Sequence, residues 1–167
     1  MAPMTVPPVT WLAAIRAYLL VLAGGNLLWE AAHLPLYTIW RTGTWRENIF
    51  AVVHCTGGDL LIGTASLMLA LVLVGHAAWP EQRFAAVIAL TMIFGLAYTV
   101  FSEWLNIVIR QSWAYSDYMP VLRVAGFDLG LSPIAQWLVV PLLAAIGPAM
   151  PRRAGGSGPG ATAPPHP

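Results

Sequence analysis

From Ile49 to Gly75 the chain is almost wholly apolar, and Ala65 to Val74 carries no charge at all. A stretch of that length fits a helix crossing a hydrocarbon core of roughly 30 Å. Three further apolar stretches accompany it, and together they predict an all-α integral membrane protein. Four transmembrane helices over about residues 11–34, 49–75, 84–109 and 132–148 would form an up-down-up-down bundle. Composition agrees: 58% of residues are hydrophobic and 9% charged, with mean hydropathy +0.69, whereas soluble domains carry about 25% charged residues. The net charge of +1 gives no basis for a nucleic-acid partner. The one cysteine, Cys55, excludes an internal disulfide and is read as an inert buried thiol.

The punctuation between these stretches is clear. Residues 1–10 contain three prolines and no charge, an irregular lead without the positive n-region of a signal peptide. Pro35 ends the first stretch, and residues 38–48 form a short polar loop. A second loop, 76–83, contains Pro80. Residues 110–130 make a longer connection whose Trp113, Tyr115 and Tyr118 suit a membrane interface, as do Trp40 and Trp45. Ser132 and Pro133 offer a cap and a first-turn proline for the last helix, and Pro141 is expected to kink it. The transmembrane domain ends near residue 149, and 150–167, rich in Gly, Pro and Ala, reads as a disordered tail.

His54 and Asp59 interrupt the apolar run, and an Asp at mid-helix costs roughly 2.5 to 3.5 kcal/mol on insertion scales. Polar partners are available on every other helix. Asn26, Glu30 and His33 lie near the end of the first, Thr99, Glu103 and Asn106 near the end of the third, and Ser132 and Gln136 near the start of the fourth. In an alternating bundle all of them fall in one leaflet. Spacings of three and four place Asn26, Glu30 and His33 on one helix face, and likewise Thr99, Glu103 and Asn106. His54 and Asp59, five apart, point about 140° from each other on an ideal helix. They share a pocket only if Gly57-Gly58 distorts the turn or helices lie on both sides. The two glycines are read as a close approach to a neighbouring helix, with local backbone irregularity as the alternative.

The runs Asn26-Leu27-Leu28-Trp29-Glu30, Leu34-Pro35-Leu36-Tyr37, His54 with Gly58-Asp59, Glu103-Trp104, Trp113-Ala114-Tyr115 with Met119-Pro120, and Ser132-Pro133 with Gln136 resemble a group of small, functionally uncharacterised bacterial inner-membrane proteins. That resemblance spans most of Gly25 to Pro141 and implies a four-helix membrane fold without an activity. A looser similarity to VanZ-like membrane proteins lacks their Asp-Lys, Glu-x-x-Gln and Arg/Asp/Asn elements.

Three chemistries suit the polar residues. Glu30-x-x-His33 is the carboxylate and imidazole pair of carboxylate-bridged metal sites in helix bundles. His54, Asp59 and Glu103 would complete a shell for a divalent metal such as iron, manganese or zinc. Alternatively Glu30, His33, His54, Asp59 and Glu103 act as general acids and bases, with Asn26, Asn106 and Gln136 binding a lipid or isoprenoid-like substrate. Arg41 and Arg46, just outside, would then meet its phosphate. In the third, the same groups hold the bundle of an accessory subunit or small transporter. All eight basic residues are arginine, consistent with a GC-rich bacterial genome, and they divide evenly between the two sides. The paired tail arginines, Arg152 and Arg153, favour cytoplasmic termini in a bacterial inner membrane and a site at the periplasmic leaflet.

Overall fold

The computed structural model describes residues 10–147; the expectations for the lead and the tail fall, save Thr10, outside the described residues. Helix α1 (Trp11–His33) continues into a 3-10 turn, Leu34–Leu36, followed by the short α2 (Ile39–Thr42) and the long α3 (Trp45–Val74). Helix α4 (Phe84–Glu103) passes into a π-helical stretch, Trp104–Ile109. Strands β1 (Val121–Val124) and β2 (Phe127–Gly130) then lead into α5 (Leu131–Ile146). Three helical segments, Trp11–Leu36, Trp45–Val74 and Phe84–Ile109, are long and apolar enough to cross a membrane, and α5 is shorter.

Local chemistry sets these boundaries. Thr10 accepts a hydrogen bond from the Ala13 N–H and caps α1. Pro35 sits at the start of the 3-10 turn, where its missing N–H costs nothing. The expected polar loop ends early, because Thr44 and Glu47 form a capping box and start α3 at Trp45 rather than Ile49. The 110–130 connection is not irregular throughout. Val121 pairs with Gly130 and Val124 with Phe127 in an antiparallel hairpin, whose two turn residues, Ala125 and Gly126, have φ of 47° and 89°. Positive φ at both positions matches the right-handed twist of the strands. Since β2 runs straight into α5, Gly130 occupies the cap and Ser132 lies inside the first turn, not at the cap. Helix α5 continues through Pro141.

Helix α1 packs on α3 and α5, and α4 packs on the same two, so the four close into a ring. Its core is built from Tyr18 and Leu22 of α1, Leu67 of α3, Val87 of α4 and Val140 and Ala144 of α5. The outward faces carry Leu61 at 75% and Val72 at 82% exposure. In water such surface would cost about 25 cal/mol per Å²; against lipid it costs nothing comparable.

Close helix approach runs through other glycines than expected. A Cβ at Gly95 would collide with the Trp137 indole, and one at Gly25 would lie 2.7 Å from a Val140 methyl. At Gly57 and Gly58 a Cβ would meet nothing within 4 Å, and α3 stays α-helical through both. They therefore serve neither close packing nor a break in the helix, which corrects both readings. Gly95→Ala is expected to destabilise the folded protein by about 1 to 3 kcal/mol through overpacking. Gly57→Ala should be neutral or stabilising by up to about 1 kcal/mol. Thermal unfolding in detergent checks the pair.

Candidate functional site

The polar faces of α1 and α5 meet at Gln136. Its Nε2 lies 3.1 Å from Asn26 Oδ1, 3.0 Å from Glu30 Oε1 and 2.8 Å from Asp59 Oδ2 on α3. A primary amide has only two hydrogens, so three oxygens from three residues compete for one nitrogen. Glu30 turns its other oxygen, Oε2, to His33 Nε2 at 3.1 Å. The i, i+3 spacing makes this contact possible within one turn. On the far side of the ring, His33 Nδ1 lies 2.9 Å from Ser132 Oγ, which also accepts from Trp29 Nε1 at 3.2 Å. In the tautomer in which the Ser132 hydroxyl donates to Nδ1, the imidazole N–H lies on Nε2 and donates to Glu30. The result is a continuous chain from Trp29 through Ser132, His33, Glu30 and Gln136 to Asp59.

A second carboxyl centre adjoins it. Glu103, the last residue of α4, accepts a hydrogen bond from the Tyr115 hydroxyl. That hydroxyl in turn accepts from the Gly130 N–H at 2.9 Å. The hairpin thus fixes the group that holds Glu103. Tyr37 lies between the centres, its ring 5.3 Å from His33 and 5.6 Å from Tyr115 between centroids. Burial pushes the Tyr37 phenol well above its ordinary range, with the Glu103 carboxylate adding to the effect. Tyr115 is raised in the same way, by burial first and then by Glu103. Tyr115 therefore keeps its proton, donated to Glu103, where an ordinary tyrosine would ionise.

Of the expected site residues, the folded chain brings together Asn26, Glu30, His33, Asp59 and Gln136, with Glu103 close by. His54 is not among them: it is exposed and stacks on Phe50 at 5.3 Å with rings 15° apart. The unbroken helix through Gly57-Gly58 keeps it turned away from Asp59. Asn106 is diverted as well, because the wide turn over Trp104–Ile109 takes it out of register with Thr99 and Glu103. Its amide donates to the Ser102 carbonyl at 2.9 Å. Arg41 lies outside the network and donates to the Tyr118 hydroxyl at 3.1 Å; Arg46 is exposed. Among the described residues no three His, Cys, Asp or Glu side chains are grouped to hold a metal ion. The five-residue shell is therefore not assembled, since His54 faces out and the Gln136 amide occupies the point on which the Glu30 and Asp59 oxygens converge.

Trp29, Ser132, Tyr37 and Tyr115 complete the arrangement. Ser132 was readable as a polar group on the right side of the bundle, but expected as a cap. Tyr115 looked like an interfacial aromatic, and only the hairpin that returns Gly130 beneath its hydroxyl reveals its place. Comparisons with protein-family models, curated proteins and solved structures found no match to the chain.

The raised tyrosines set a pH dependence. An unfolded tyrosine ionises near about pH 10, before its folded counterpart, so above that pH the unfolded chain binds fewer protons. Folded-state stability in detergent is expected to be complete below about pH 10 and to fall as pH rises further. Tyr115→Phe should make the fall shallower. Melting temperatures across that range check both statements, and a flat profile would contradict them.

Proposed function

We propose that the protein is a four-span bacterial inner-membrane protein that performs acid/base chemistry on an amphiphilic, lipid or isoprenoid-like substrate. In this reading α1, α3, α4 and α5 cross alternately, with the termini cytoplasmic and the site in the periplasmic leaflet. The sixteen residues of α5 reach about 24 Å, short of a typical core, and the hairpin before it extends the chain to the interface.

The observation that carries the reading is the convergence of Glu30 Oε1 and Asp59 Oδ2 on one amide nitrogen, with His33 on the other Glu30 oxygen. Two carboxyls that share too few donors are satisfied by one additional proton between them. An imidazole in contact with one of them can deliver or remove that proton. Glu30 and His33 would act as the exchanging pair, Asp59 as the second carboxyl, and Glu103 as an acid or base steadied by Tyr115. A bundle held only by structural polar contacts could use uncharged groups at lower cost, and intramembrane ionisable residues mark functional sites by default. One observation favours a non-catalytic accessory or transport role: Gln136 and Ser132 already give the network partners within the chain.

Glu30→Gln and Glu103→Gln are each expected to lower turnover by about 10²-fold or more. Expression and the melting temperature in detergent should stay near wild type. Untargeted lipid analysis of a deletion strain, complemented with each variant, supplies the readout. Unfolding of both variants would favour the structural role.

A further inference from the structure

At the end of the bundle that holds Glu103, α2 and the segment before the hairpin enclose a depression of about 180 Å³. Its walls include Thr38, Arg41, Tyr115, Ser116 and Asp117. The frame is fixed by main-chain bonds. The Thr38 N–H donates to the Ala114 carbonyl at 2.9 Å and the Ser116 N–H to the Leu36 carbonyl at 2.9 Å, while the Ser116 hydroxyl donates to the Pro35 carbonyl at 3.1 Å.

Two opposite charges line this depression without forming an ion pair with each other. Arg41 is held by Tyr118, through one hydrogen bond from Nη2 and a guanidinium lying 5.1 Å from the ring centroid. Its Nε and Nη1 donate to nothing among the described residues. Asp117 likewise makes no ion pair: the arginine–carboxylate pair among the described residues is Arg123 with Asp128. A lone phosphate would suit Arg41 and be repelled by Asp117, and a lone ammonium would suffer the reverse. A ligand carrying both charges a short linker apart satisfies both. Exposed Trp40 and Trp45 flank this end of the bundle, as tryptophans do at headgroup depth.

We infer that the depression is a binding site for a zwitterionic phospholipid headgroup, phosphate on Arg41 and primary ammonium on Asp117, as in phosphatidylethanolamine. The guanidinium offers its fork of donors to the phosphate oxygens, and the carboxylate accepts from the ammonium. Tyr115 lines the depression and also holds Glu103, so a bound headgroup lies one phenol away from the second carboxyl centre. This inference rests on the amphiphile reading for its purpose, though not for the binding itself.

Native mass spectrometry of the full chain, released from micelles with equimolar phosphatidylethanolamine and phosphatidylglycerol, tests it. Wild type is expected to retain the ethanolamine lipid about tenfold better, a difference of about 1.4 kcal/mol. Arg41→Gln should weaken retention of both lipids. Asp117→Asn should weaken only the ethanolamine lipid and erase the preference. Both side chains are exposed, so melting temperatures near wild type are expected for each variant. Equal retention of the two lipids by wild type, or a preference unchanged in Asp117→Asn, would overturn the inference. Lipid preference with no change in lipid content of the Glu30→Gln strain would leave the headgroup site standing and remove the acid/base reading.

Discussion

The arrangement depends on the Gln136 amide. Its nitrogen is the point where α1, through Asn26 and Glu30, and α3, through Asp59, meet α5. Each of those oxygens sits inside the helix ring, where an unsatisfied polar atom costs several kcal/mol in the absence of water. One amide cannot satisfy three acceptors with two hydrogens. In the proposed reading the unmet third acceptor is where a proton would go, and the same contacts tie three of the four ring helices together.

From that point the network extends in one direction only. Glu30 passes it to His33, His33 to Ser132 and Tyr37, and the adjoining, mutually tilted Tyr37 and Tyr115 rings lead to Glu103. The hairpin matters because Gly130 supplies the N–H that orients Tyr115. A segment outside the apolar helices thus positions a group within one of them. The opposite end of the ring is packed mainly with apolar side chains such as Leu22, Leu67 and Val87, which stiffen the frame and leave the ionisable groups of the network at one end.

Helix existence was legible in the sequence because long apolar runs have few alternatives, and the three longest behave as read. The one-face grouping of Asn26, Glu30 and His33 was equally legible, since α1 is a regular helix whose spacing needs no correction. The same rule misplaced Asn106, because a π-helical turn follows Glu103 and nothing in Trp104 to Ile109 announces it. For His54 the ideal 140° separation from Asp59 was the right guide, and the glycines between them were a distraction. Gly63 and Gly95, which do mediate close contact, stand in plain apolar sequence. The capping box of Thr44 and Glu47 lies inside the stretch read as a polar loop, and the role of Tyr115 depends on contacts between segments that no local pattern records.

In the proposed acid/base reading, Glu30 and Asp59 together hold an exchangeable proton. Infrared spectroscopy of the purified protein at neutral pH, in H₂O and in D₂O, tests it most directly. A carboxylic-acid C=O band that shifts in D₂O is expected for wild type, lost in Asp59→Asn and in Glu30→Gln. A wild-type spectrum showing only carboxylate bands, or an acid band that survives both substitutions, would contradict the claim.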